Sequence, residues 1–458
     1  MIVDIIRPQK LKYILVLLMG IFSTMPILGI PFGGKYITVF TIIFILNFCN
    51  IVWEVFRRNR FSFMLTGIKK VYLMFLIWPI MSYLVGLMYM PKEWHSSMTS
   101  YIIRVIEYLL LTILLYIDND KKNARTFGIG LFYGIVINAV WSIFEAVSYY
   151  FFSKSLNDIL FSSYLNLNRE VLLVNSYGGI RVSGLNYDPA HLGGLLPILL
   201  FCGLSKKNIY VTVLSIISLA FSQSTTALVG CIVVIVIFLL IKRKRIKKRL
   251  KLKLPLFVGA IIVIFVSIIM ISYEGTINRF INSIIENIGG YIERINTIYL
   301  GSSNRIEPRE VYYTQAIDKL LERNPIVSLI GSGLGTSMYP FRNVSGLFAT
   351  GAQATVTEIE TNYIAYLFDL GIIGFVIYIV LLIKGFLKFM RILRYKEELP
   401  IYLFLGFFIS IICCSALYHY IFTAYQILTF TFATIYIDYY EHEIKKGEIY
   451  NVGLYNDA

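Results

Sequence analysis

The sequence predicts an all-α polytopic membrane protein with about twelve transmembrane helices and a large external loop carrying amphipathic helices. Three observations predict it. The 458-residue chain is 57% hydrophobic and 16% aromatic but only 15% charged, where soluble domains carry roughly 25% charged residues. Its apolar residues fall into long runs, suited to bilayer crossings of about 20 residues each. Its basic residues, which give a net charge of +15, gather between alternate runs, the asymmetry that orients membrane helices. An ordinary soluble enzyme, a disordered chain and a disulfide scaffold are thereby excluded. Cys49, Cys202, Cys231, Cys413 and Cys414 sit in apolar runs without zinc or disulfide spacing. The first apolar run lacks a small-residue cleavage site after it and reads as a retained helix.

Taken in order, the spans fall at about 12–30, 36–56, 71–90, 101–117, 126–152, 190–204, 209–222, 225–241, 254–273, 361–383, 400–418 and 421–438. The whole chain, 1–458, reads as one integral membrane domain. With both termini cytoplasmic, 29 of the 42 Lys and Arg lie inside and 12 outside, Arg104 being within a helix. The loop KRKRIKKRLKLK (242–253) pins this arrangement. Its nine charges suit anionic lipid head groups, at about 1 kcal/mol each. It has no interleaved aromatics, so no nucleic-acid partner is expected.

Two external loops interrupt the spans, 153–189 and the larger 274–360. In the second, Ile277, Phe280, Ile281, Ile284, Ile285, Ile288, Ile292 and Ile295 recur at helical spacing, the pattern of an amphipathic helix lying on the membrane face. A second helix is expected after Asn304, with Pro308 in its first turn and Asn324-Pro325 as its stop. The following Gly331-Ser-Gly-Leu-Gly335 run must be a turn or a close-approach loop. It lacks the Lys-Ser/Thr and strand context of a nucleotide loop.

Arg104 and Glu107, three residues apart, share a helix face, and an ion pair within the bundle accounts for them. Glu145 and Asp369 are lone acids near helix ends, best explained by hydrogen bonding within the bundle. His95, His191, His419 and His442 are scattered, so no metal site is expected. The external loops hold the candidates instead. Arg181 lies in GGIRVSGLNYDPAHLGG, Arg305 and Arg309 in SSNRIEPREVYY, and Glu358 and Glu360 in TEIETNYIAYLFDLGIIG. A guanidinium forks onto two phosphate oxygens without a metal, so arginines on separate loops above a membrane suit a lipid-borne phosphate. The alternative is that they pair with Asp188, Glu307 or Glu310 to hold the loops together.

Several segments together resemble one family. They are the Arg181, Gly184, Asp188, Pro189 loop entering a helix, the Ser/Thr-rich SQSTTALVG, the long external loop with SSNR, and the GSGLG run. Last come Asn362-Tyr363 and the Gly371 and Gly374 of a long helix. This order is similar to the bacterial O-antigen polymerase and O-antigen ligase superfamily, over roughly Gly178 to Leu382. The resemblance implies a GT-C-like, metal-independent, inverting membrane glycosyltransferase without cofactor, working at the external face of the bacterial cytoplasmic membrane. A polyprenyl-diphosphate-linked oligosaccharide would be donor and acceptor, with membrane lipids and a chain-length regulator as further partners. By the same resemblance, Arg181 and Arg305 engage the diphosphate, while Arg309, Asp188, Glu358, Asn362 and Tyr363 help bind substrate. The ligase branch carries a histidine before the Asn-Tyr pair; Thr361 stands there in this chain. That favours a repeat-unit polymerase over a ligase and leaves Glu360 as the candidate base, unless it holds an arginine or a sugar hydroxyl. A transporter is the reading from another class, but it calls for charges in mid-membrane and paired broken helices.

Overall fold

The computed structural model describes residues 8–32, 35–58, 65–152, 154–165, 181–246, 308–341, 361–415 and 423–445. The ninth expected span, the amphipathic segment 277–295, and Arg305, Glu358 and Glu360 lie outside the described residues. The described residues are helical almost throughout, and six of their helices are long and apolar enough to cross a membrane. It divides into two compact units, Met1–Ile137 with Ser303–Ala458, and Asn138–Ser302.

The first unit opens with α1 (Pro8–Phe22). The span expected at 12–30 ends early, because the chain turns before Pro26 and then forms a hairpin of β1 (Gly29–Phe32) and β2 (Lys35–Thr38). Proline cannot donate the hydrogen bond that would continue the helix. The strands are antiparallel, with Ile30 opposite Ile37. Three spans follow: α2 (Val39–Arg58), α3 (Gly67–Tyr89) and α4 (His95–Asp118). The long α5 (Lys121–Phe152) belongs to the first unit as far as Ile137 and to the second from Asn138.

After the second unit the chain returns as α10 (Pro308–Leu321), which starts at the expected proline, and the six-residue α11 (Pro325–Ile330). Asn324-Pro325 does more than stop α10. The Asn324 side chain accepts the Ile326 amide at 2.9 Å, and the proline occupies the first turn of α11. The span expected at 361–383 is two helices, α12 (Asn362–Asp369) and α13 (Gly371–Ile392). The break is local: Gly371 has φ +69°, and the Leu370 carbonyl accepts the Trp78 indole at 2.8 Å. The apolar α14 (Leu399–Cys414) and the more polar α15 (Ala424–Lys445) are the last described helices of the unit.

One end of this unit is tied by buried charge. Lys12 lies 3.0 Å from Glu54 and 2.7 Å from Asp118. Lys69 lies 2.8 Å from both Asp438 and Asn119. These lysines are 1% and 0% exposed, so they serve protein carboxylates and not lipid head groups. Arg104 and Glu107 correct an expectation. Both are exposed, and the Arg104 guanidinium lies 5.8 Å from the Tyr101 ring. Their spacing puts them on one face, but that face points away from the bundle.

The second unit comprises the rest of α5, then α6 (Leu156–Leu165), α7 (Pro189–Lys206), α8 (Ile209–Ser222) and α9 (Thr225–Ile246). Helix α7 is mostly buried between its neighbours, with Gly193 against the Ser224 side chain.

Candidate functional site

In the second unit the arginine loop is built on polar groups of α5. Asn138 Oδ1 accepts the Leu185 amide at 3.0 Å and the Asn186 side chain at 2.9 Å. Two turns further along α5, Glu145 Oε2 accepts the consecutive amides of Ser183 (3.1 Å) and Gly184 (2.9 Å). Its Oε1 accepts Asn157 Nδ2 at 3.0 Å and the Ser155 hydroxyl at 3.4 Å. Asn157 also donates to the Gly184 carbonyl at 2.7 Å and accepts the Trp141 indole at 2.8 Å. On the arginine side, the Val182 amide donates to the Phe221 carbonyl at 3.1 Å. Arg181 is half-buried at the start of this clamped turn. Asp188 caps α7, accepting the Ala190 amide at 2.6 Å. No ion pair joins it to Arg181 among the described residues.

The first unit repeats the device. Asp369, the last residue of α12 and fully buried, accepts the consecutive amides of Gly335 and Thr336, each at 3.0 Å, and the Thr336 hydroxyl at 3.3 Å. Its carbonyl accepts the Gly333 amide at 3.0 Å and the Ser82 hydroxyl. Gly331, Gly333 and Gly335 all have positive φ, as the GSGLG run required. At Gly331 a Cβ would fall 2.2 Å from the Asp369 carbonyl oxygen, so the loop reaches its carboxylate only because that position has no side chain. With these amides committed to Asp369, the run is no phosphate cradle.

Beneath it Arg323 donates to the Phe368 carbonyl at 3.1 Å and the Ser332 hydroxyl at 2.6 Å. Burial pushes its guanidinium down to about 10, opposed by the charge of Asp369, so it stays charged at neutral pH. Arg323 was no candidate from sequence, and its one signal is position: a cation between α10 and α11, just before the glycine run.

Asn362 and Tyr363 open α12 and fasten it to α14. Asn362 donates to the Ser415 hydroxyl at 3.3 Å, and Tyr363 donates its hydroxyl to the Ile412 carbonyl at 2.6 Å. Thr361, where the ligase branch has histidine, is fully buried. Arg309 lies in the first turn of α10.

Fold and site together define a multi-pass helical membrane protein in which loops between the helices are held, through their backbones, by acids on those helices. Residues 210–379 match the family model described as O-antigen ligase. The match supports the resemblance to the O-antigen polymerase and ligase superfamily, whose members are membrane glycosyltransferase-like enzymes. It covers the glycine run, Asp369 and the Asn-Tyr pair, and begins after Arg181. No curated protein matches the chain.

Proposed function

We propose that this protein is a repeat-unit polymerase. It moves a growing glycan from polyprenyl diphosphate onto the terminal sugar of a second lipid-linked repeat unit, at the external face of the bacterial inner membrane. The observation that carries the reading is the family match at 210–379 with a threonine, not a histidine, before Asn362.

The chemistry asks little of the protein. A hydroxyl oxygen of the acceptor sugar bonds to the donor's anomeric carbon as the bond to the diphosphate oxygen breaks. The diphosphate leaves with the electron pair, the configuration inverts, and the hydroxyl proton passes to a base. Arg181 and Arg305 are assigned to the diphosphate, where fixed cations stabilise the leaving charge in a site with little water. Glu360 is assigned as the base, a role worth about 10²–10⁴-fold.

The test is a gel of surface polysaccharide and lipid-linked intermediates from cells lacking the gene. A single repeat on the acceptor, without a ladder, is the expected result. The ligase reading, favoured by the family description, predicts finished polymer stranded on the lipid carrier. Unchanged polymer overturns both and returns a transporter. In complemented cells, Arg181→Ala and Arg305→Ala abolish the ladder while the protein still inserts, and Lys rescues poorly because it loses the fork. Glu360→Gln removes activity.

A further inference from the structure

We propose that Glu145 is a positioning residue for Arg181, acting through the backbone of the turn that carries it. The inference rests on the reading that Arg181 engages the lipid diphosphate. Arg181 is two residues from Ser183, whose amide, with that of Gly184, is fixed on one Glu145 oxygen. Val182, between them, is fixed on the Phe221 carbonyl. The backbone therefore has little freedom on the side where Arg181 leaves it.

Glu145 suits this task because four described groups donate to its carboxylate: two amides on one oxygen, Asn157 Nδ2 and the Ser155 hydroxyl on the other. An ionised carboxylate is acceptor-only and satisfies all four. A glutamine is isosteric, yet its NH2 must face either the two loop amides or Asn157 and Ser155. Either way one side of the clamp opens. Asn157 is the brace, since it joins the carboxylate to the Gly184 carbonyl and is itself oriented by Trp141. A displacement of about 1 Å in a substrate-positioning group costs as much as ~10²-fold.

The experiment is a double-mutant cycle on purified full-length protein in nanodiscs, with lipid-linked repeat units as substrate. Glu145→Gln is expected to raise KM for the lipid-linked substrate and to lower kcat, together roughly tenfold in kcat/KM, because Arg181 holds the diphosphate both as it is bound and as it leaves. Glu145→Asp, which keeps an acceptor-only group, is expected to recover part of the loss. Combined with Arg181→Lys, which keeps residual activity, Glu145→Gln is expected to cost far less than it does alone, because the fork that it positions is already gone. A full multiplicative loss in the double variant overturns the proposal, as does wild-type kcat/KM for Glu145→Gln. Wild-type behaviour of Arg181→Ala overturns the diphosphate reading and the proposal with it. Asn157→Ser keeps the carboxylate and removes its brace. It is expected to show a smaller loss in kcat/KM, and it keeps the proposal testable if the Glu145 variants fail to fold; an unchanged kcat/KM there overturns it.

Discussion

Replacing Asp369 by Asn changes one atom in a site where two backbone amides converge on the carboxylate. The Gly335 and Thr336 amides sit on its two oxygens at 3.0 Å each, with the Thr336 hydroxyl at 3.3 Å. In the variant, the NH2 faces one of those two amides whichever way the side chain turns. A buried amide left without an acceptor costs about 1–3 kcal/mol. The other bond loses its charge assistance, which roughly doubles the strength of such bonds. The total is about 2–4 kcal/mol. At about 1.4 kcal/mol per factor of ten, local opening of the glycine run becomes about 30- to 1,000-fold more populated. Hydrogen exchange measured by mass spectrometry on protein in nanodiscs reads this directly. The peptide covering 331–338 is expected to exchange faster by that factor, while peptides from α14 keep their wild-type rate. Unchanged exchange in the 331–338 peptide of a folded Asp369→Asn protein would refute the claim that this carboxylate holds the loop.

Further outcomes follow from the same geometry. Lys69→Met leaves the Asp438 carboxylate without the cation now 2.8 Å away. Breaking such a buried pair costs about 3–5 kcal/mol, so the yield of folded protein in detergent falls, and Lys69→Met with Asp438→Leu regains most of it. Gly371→Ala places a Cβ 2.5 Å from the Gly331 nitrogen and the Leu329 carbonyl oxygen at a φ of +69°. The conformation alone costs about 1–2 kcal/mol, and thermal unfolding in detergent moves down accordingly. At Glu398, burial works against ionisation, but Lys396 and the Tyr436 and Tyr440 hydroxyls outweigh it and hold the carboxyl below the usual glutamate value. Its contribution is therefore complete above that usual value and is lost as the pH falls through the lowered one. Thermal stability measured down a pH series shows this acid-side loss in the wild type and a smaller one in Glu398→Gln.

Much of the fold was legible because hydrophobic periodicity is written residue by residue. Each expected span that falls among the described residues contains a helix, although the first gives way to a hairpin and the one at 361–383 is split in two, and Pro308 marks a helix start as expected. The errors have physical causes. The hairpin at Gly29–Thr38 is too short to compete with an apolar run on composition. The break at Leu370–Gly371 depends on an indole from α3. The face shared by Arg104 and Glu107 was read rightly, but spacing does not say whether a face meets protein or surroundings. The site was less legible. Glu145 and Asp369 read as acids hydrogen-bonded within the bundle, which they are, yet their partners are the loops that matter. Those partners are backbone amides, and amides carry no letter in the sequence. Asn362 and Tyr363 stood out in the motif and fasten α12 to α14.

The buried lysines have a consequence for assembly. On the orientation predicted by the basic residues, Lys12 and Lys69 belong to the charges that keep their segments in the cytoplasm during insertion, when acidic residues count for little. In the folded chain the same charges are consumed by carboxylates made much later. Asp118 follows Lys12 by 106 residues, and Asp438 follows Lys69 by 369. The lysines set an orientation and the late acids inspect it. Were α15 threaded the wrong way, Asp438 would lie across the bilayer from Lys69, and the buried cation would lose its carboxylate.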